Sequence, residues 1–171
     1  MDLDDVTMRA PTRADVPRIA ALVAEGFDTY RSFAPPGWTP PPMQEHERYL
    51  VERLWNPDTW ATLAERGDTI AGIVSMTPTA TSRRPVADPS LAHLWQLFIA
   101  REWWGSGLAT ALHAMVVGAA RTRGFTHMRL FTPAEQARAR RFYEREGWRA
   151  VATMEDDDIG FPVVEYRRDL G

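Results

Sequence analysis

The sequence predicts one mixed α/β domain, and three observations carry that expectation. With 171 residues the chain has the size of a single substantial core. Its hydrophobic pattern switches between strand and helix periods in the order β-α-α-β-β-β-α-β-α-β-β. A strongly apolar strand, Leu91 to Ile99, also runs through two glycines into a long amphipathic helix.

The elements follow in order. Thr7-Met8-Arg9-Ala10 reads as a short first strand. Asp15 is placed to cap a helix with Pro17 in its first turn and an apolar stripe of Val16, Ile19, Ala20, Val23 and Phe27. Tyr30 to Pro42 is rich in proline and aromatics and reads as a loop. Met43 to Trp55 is a second helix, with Tyr49 and Leu50 on its apolar face. Thr59 to Glu65 and Thr69 to Met76 are strands joined by Arg66-Gly67-Asp68, a hairpin signal. Thr77 to Ser90 holds three prolines and several hydroxyl residues, hence a loop before the Leu91 strand.

A helix spans Gly107 to about Arg123, with Leu108, Leu112, Met115, Val116 and Ala119 at helical spacing, and Gly124 ends it. Thr126 to Phe131 is the next strand. Thr132-Pro133-Ala134-Glu135 has the form of a capping box, opening a helix that starts there or as late as Gln136 and ends at Gly147. Trp148 to Met154 and Phe161 to Arg167 close the domain as strands.

Composition excludes several classes. The net charge of −3 provides no basic field, so nucleic acid is not expected as a partner. No apolar run reaches a membrane span of ~20 residues, and no signal-peptide pattern opens the sequence. Without cysteine there is neither a disulfide nor a catalytic thiol, which permits a cytoplasmic location. All 20 basic residues are arginine, so a Walker lysine and a lysine Schiff base are both excluded. His46, His113 and His127 have no metal-ligand spacing, and no metal is expected.

Glu102-Trp103-Trp104-Gly105-Ser106-Gly107-Leu108-Ala109 joins the buried strand to the long helix. Glycines let the backbone approach a ligand, and the first helical N–H groups point at it, which is the physics of an anion site. One G-x-G is weak evidence, because many turns need a glycine for shape alone. A dinucleotide fold wants a third glycine or alanine and an acid ~20 positions on. Thr110 stands at the third position, and no Asp or Glu lies between Leu108 and Ala134. A P-loop needs the missing lysine.

Leu97-Phe98-Ile99, then Gly105-x-Gly107, then Ala139-x-x-Phe142-Tyr143-Glu144-x-x-Gly147-Trp148, is similar to the two central motifs of the GNAT N-acetyltransferase superfamily. The opening strand and helix resemble that family too, so the likeness spans nearly the whole chain. It implies a mixed, largely antiparallel sheet of about seven strands flanked by about four helices, with acetyl-CoA as co-substrate. It implies that the backbone of Leu97, Phe98 and Ile99 takes the pantetheine arm. The pyrophosphate falls to N–H groups of Trp104, Gly105, Ser106, Gly107, Leu108 and Ala109. Gln136, Ala139 and Phe142 complete the cofactor side, and Arg101, Arg138 and Arg140 are candidates for outer phosphate contacts. Two positions depart from the family pattern. Glu102 stands three residues before the first glycine, where Gln or Arg is frequent, and Gln136 replaces a frequent Asn seven residues before Tyr143.

Acyl transfer to an amine needs a neutral amine, a stabilised oxyanion and a leaving thiolate. A lysine-like amine of pKa ~10.4 is only about one part in 2,500 neutral at pH 7, so a proton acceptor or a desolvating pocket is required. Tyr143 matches the family's general acid, with a packing tyrosine as the plain alternative. Proton transfer from tyrosine (~10) to a thiolate (~8.5) is uphill by roughly 2 kcal/mol, so Tyr143 is also able to act by hydrogen bonding alone. His93 lies six residues before Ile99, where some family members carry a catalytic Glu or His. An imidazole at ~6.5 is mostly neutral at pH 7 and suited to accept a proton; a histidine packed within the sheet is the equal alternative.

Strand alternation puts Trp95 on the face of His93, lining the acceptor pocket, and Gln96 opposite. By resemblance Tyr30, Phe33 and Trp38 border the same pocket. Glu155-Asp156-Asp157-Asp158 reads as a solvated turn. The expectation is therefore an acetyl-CoA-dependent N-acetyltransferase acting directly on a primary amine of a small molecule or peptide. A non-catalytic acyl-CoA-binding sensor or interaction module of the same fold is the alternative, and either leaves room for a homodimer.

Overall fold

The computed structural model describes residues 3–171. Seven strands form one open mixed sheet: β1 (Thr7–Arg9), β2 (Trp60–Arg66), β3 (Thr69–Pro78), β4 (Leu91–Ile99), β5 (His127–Pro133), β6 (Arg149–Met154) and β7 (Val163–Asp169). Four α-helices flank it: α1 (Val16–Asp28), α2 (Met43–Leu54), α3 (Leu108–Thr122) and α4 (Ala137–Arg145). The sheet order is β1-β2-β3-β4-β5-β7-β6. Every neighbouring pair is antiparallel except β4 and β5, which run parallel and are joined through α3, as a parallel pair requires a crossover.

The long central strand β3 is buried from Ile70 to Thr77, covered on two sides by helices, which accounts for its continuous apolar run. Gly72 lets Ile99 of β4 and Leu112 of α3 close on one side. The next residue along β4, Phe98, turns to the other side and meets Gly26 of α1, where a Cβ would collide with its ring. The two glycines thus set how closely the helices approach the strand that carries the site.

Two local expectations are corrected. Asp15 does not cap α1 with its side chain. Its buried carboxylate instead accepts from Arg9, Arg18 and both the N–H and hydroxyl of Thr12, so it is held well below the usual carboxylate range. Thr132-Pro133 does not cap α4 either. β5 continues to Pro133, paired Thr132↔Val164 and Pro133↔Val163, and the helix begins only at Ala137. Ladder hydrogen bonds with β7 outweigh the local capping preference, and proline is tolerated at a strand end.

Candidate active site

β4 and β5 pair only at Leu91↔His127, Ala92↔Met128 and His93↔Arg129. Beyond His93 they diverge, β4 staying with β3 and β5 with β7. The wedge therefore opens at the carboxyl ends of the parallel pair, where ligands enter open α/β sheets. The β3–β4 register slips between Ser75/Met76, leaving Trp95 as an extra residue on β4. Such a bulge re-aims side chains beside it. It breaks the strict alternation by which Gln96 was expected to face away. Gln96 lines the same cleft as His93 and Trp95, with its amide donating to Ser75 Oγ at 2.8 Å.

The cleft holds about 1410 Å³, room for more than one small ligand. At one end lies the glycine loop. Gly105 and Gly107 have φ of +81° and +91°, a region that favours glycine. A Cβ built on Gly105 meets nothing within 4 Å, so open space fronts the loop. Gly107 is the residue before α3, which has no side-chain cap. The loop uses the N–H of Trp104 on Arg101 O and of Ser106 on Trp103 O, and the N–H of Leu108 on Ser106 Oγ. Among the described residues the N–H groups of Gly105, Gly107 and Ala109 make no such bond, which suits an anion at a helix N-terminus. Arg101 and Arg138 stand beside this loop on the Trp104 ring, and Arg141, Arg145 and Glu135 line the same cleft. A pyrophosphate fits that donor set. Arg140 is turned elsewhere, donating to Tyr166 and the Ala134 carbonyl.

In the middle of the cleft α4 brings Tyr143 against Phe142 and Trp148. Burial raises the Tyr143 phenol above its ordinary value, and the neighbouring Tyr30 adds to the shift. Burial raises Tyr30 in the same way. Tyr30, Phe33 and Trp38 pack as one aromatic group around Phe161. Trp38 and Ser106 do not line the cleft, and Leu108 is fully buried; Trp38 supports the wall from behind, its indole donating to Ile159 O at 2.6 Å. Of the residues expected on the cofactor side, Leu97, Phe98, Ile99, Trp104, Gly105, Gly107, Ala109, Gln136, Ala139 and Phe142 line it.

At the far end sits His93, 8% exposed, with its ring on Phe131. Burial pushes its imidazole down to about 3, and the cations Arg129, Arg53 and Arg83 add to the fall. The ordinary value of ~6.5 therefore does not apply, and the ring is neutral at every working pH. Its Nδ1 has no hydrogen-bond partner among the described residues. Trp95 Nε1 and His46 Nε2 are likewise unpartnered there, and both residues line the cleft.

Sequence reading missed His46, which α2 turns inward onto Phe27. It also missed the clamp at Asp156. This carboxylate, read as part of a solvated turn, is buried and bound by Arg83 at 2.5 Å and Arg84 at 3.4 Å, closing the β3–β4 loop onto the β6–β7 turn. No local signal marks a pair so far apart in sequence. Among the described residues no group of three His, Asp or Glu side chains is placed to hold a metal ion, and no helix is long and apolar enough to cross a membrane.

A family model described as the acetyltransferase (GNAT) family matches residues 23–148. Solved structures share the fold. A protein assigned to the GNAT family from Desulfovibrio desulfuricans is 24% identical, with 97% of this chain and 99% of that chain covered and a TM-score of 0.75. The acetyltransferase from Thermus thermophilus is 20% identical, with 99% of each chain covered and a TM-score of 0.70. The PaiA N-acetyltransferase from Thermoplasma acidophilum, solved in complex with coenzyme A, is 13% identical, with 96% of this chain and 98% of that chain covered and a TM-score of 0.70. No curated protein matches the chain in sequence.

Proposed function

The chain belongs to the GNAT acetyltransferase family, and from that premise we propose that it moves the acetyl group of acetyl-CoA directly to a primary amine of a small molecule or peptide, within one domain of residues 1–171. The observation that carries this reading is the wedge after His93, with the glycine loop at one end, Tyr143 between, and His93 at the other. Acetyl-CoA supplies an activated thioester whose sulfur leaves as a thiolate.

The chain's own groups divide the remaining work. Gly105, Gly107 and Ala109 offer N–H groups to the pyrophosphate, and the edge of β4 left unpaired by β5 offers its backbone to the pantetheine arm. A β4 N–H near the bulge is positioned to stabilise negative charge developing on the thioester oxygen. Tyr143 holds the thiolate by hydrogen bonding. Its raised pKa makes full proton transfer costlier than for an ordinary tyrosine, and the same shift keeps it protonated as a donor. His93 accepts a hydrogen bond from the amine at Nδ1. The chain has no cysteine to carry an acetyl group, so donor and acceptor are bound together. A cytoplasmic setting belongs to the same proposal.

The test is thiol release from acetyl-CoA across a panel of amines. Turnover with intersecting steady-state patterns is expected. Binding of acetyl-CoA without release to any amine would instead leave the sensor or interaction module.

A further inference from the structure

Three long connections help to wall the cleft: 29–42 between α1 and α2, 79–90 between β3 and β4, and 155–162 between β6 and β7. Phe33, Arg84 and Ile159 are among the lining residues that they supply. Connections of this kind are ordinarily the most mobile parts of a fold. Here they are tied to one another, and one carboxylate stands at the junction. Asp156 is 6% exposed. Its Oδ1 accepts the N–H groups of Asp158 at 3.1 Å and Ile159 at 3.2 Å, and its carbonyl accepts that of Gly160 at 2.7 Å, so the turn 156–160 folds around it. That turn presents the Ile159 carbonyl, which accepts the Trp38 indole N–H from the first connection. Asp156 Oδ2 meets Arg83 at 2.5 Å and Arg84 at 3.4 Å, both from the second.

The second connection is in turn fixed to the body of the fold. Arg129 of β5 donates to Ser82 Oγ at 2.8 Å and to the Arg84 carbonyl, and Arg53 of α2 donates to Thr81 O at 3.1 Å. Arg84 donates to the Glu155 carbonyl at 3.1 Å, and its guanidinium lies 5.4 Å from the centroid of Phe131, the ring that meets His93. The junction therefore sits beside the His93 end of the cleft, and none of these bonds involves residues 101–109 around the glycine loop. The ion pair is lopsided: Asp156 is buried, whereas the Arg83 and Arg84 side chains are 41% and 35% exposed. Without the carboxylate's charge both arginines are free to turn to water, so the loss falls on the connections and not on the core.

We propose that Asp156 is a positioning residue for the acceptor: through Arg83, Arg84 and the Ile159 carbonyl it holds the three connections in one arrangement, so that the His93 end of the cleft is shaped before the amine arrives. Preorganisation of this kind raises affinity because the ordering is not left to the binding step. The inference rests on the acetyl-transfer reading for the kind of molecule bound there.

Asp156→Asn keeps an oxygen for the two turn N–H groups and removes the charge that Arg83 and Arg84 face. On the full chain loaded with coenzyme A, amide hydrogen exchange is expected to rise together in 29–42, 79–90 and 155–162, with 101–112 unchanged. A rise confined to 155–162 overturns the inference. Arg83→Gln, at a partly exposed position, is expected to give the same pattern and decides the matter if Asp156→Asn does not fold. Arg83→Lys keeps a cation and is expected to stay close to the wild type; loosening equal to that of Arg83→Gln overturns the ion pair as the tie. With the amine that releases thiol fastest from acetyl-CoA, Asp156→Asn is expected to raise the KM for the amine roughly 3- to 10-fold, with kcat and the KM for acetyl-CoA within about two-fold of wild type. An unchanged amine KM, or a loss in kcat alone, overturns the positioning role. If no amine is acetylated, the transfer reading fails, and hydrogen exchange still decides whether the three connections are held as one.

Discussion

The guanidinium carbon of Arg138 lies 3.5 Å from the centroid of the Trp104 indole, whose N–H donates to Ile99 O at 3.0 Å. The side chain from α4 and the end of β4 are thereby fastened to the glycine loop. Arg101 approaches the same ring at 5.4 Å, so the indole carries two cations toward the end of the cleft that suits a pyrophosphate. Cation–π contact at an exposed site contributes roughly 0.5–1 kcal/mol, enough to hold Arg138 ready for a phosphate oxygen. Arg138→Gln is expected to raise the Kd for acetyl-CoA about 3- to 10-fold and to weaken its salt dependence. Titrations at two ionic strengths check this; an unchanged Kd at both removes Arg138 from the site.

Tyr143→Phe keeps the ring packing and removes one hydroxyl. The expected outcome is a fall in kcat of roughly 10- to 100-fold with acetyl-CoA affinity nearly unchanged, as for a group that acts only as charge develops. Single-turnover thiol release together with equilibrium binding separates the two quantities. Unaltered turnover would leave Tyr143 as a packing residue.

His93 is predicted to leave no inflection in the rate profile between pH 6 and 9, because burial and nearby arginines place its imidazole at about 3. The rising limb then belongs to the amine itself and shifts with the amine's pKa. His93→Gln should lower kcat/KM across the range without changing the profile's shape. A limb near pH 6.5 that disappears in the variant would show that His93 titrates in the functioning enzyme.

The glycine loop was legible because its geometry is local. Gly105 and Gly107 stand out in sequence since their backbone freedom suits that turn, whereas Tyr143 was reached only through the family motif it resembles. The opening of the wedge was not legible. It depends on where β4–β5 pairing stops, and nothing in the sequence around His93 encodes a partner 36 residues away, Arg129. The bulge at Trp95 is equally invisible, because Leu91 to Ile99 reads as one continuous strand with no glycine or proline to mark an irregularity. Asp156 was misread for a related reason: an acidic turn looks solvated until Arg83 and Arg84, more than seventy residues earlier, are folded against it.

Acid should destabilise the protein before its carboxylates titrate. His113 is buried between α3 and α4, accepts the Trp148 indole N–H at Nε2 at 2.9 Å, and is pushed down to about 4, first by burial and then by Arg168. His93 is lower still, at about 3. Both lie below the ordinary unfolded value of ~6.5, so the unfolded chain takes up protons that the folded chain refuses. The sign follows: stability is full above ~6.5 and falls as the pH drops toward the folded values, by up to about 1.4 kcal/mol per pH unit for each histidine. Denaturant midpoints measured from pH 8 to 4.5 should fall steadily below pH 6.5. His113→Gln retains an acceptor for Trp148 and removes one titrating group, so its stability should depend on pH less steeply by about one proton. An identical slope in wild type and variant would mean that His113 is protonated, or solvated, in the folded state.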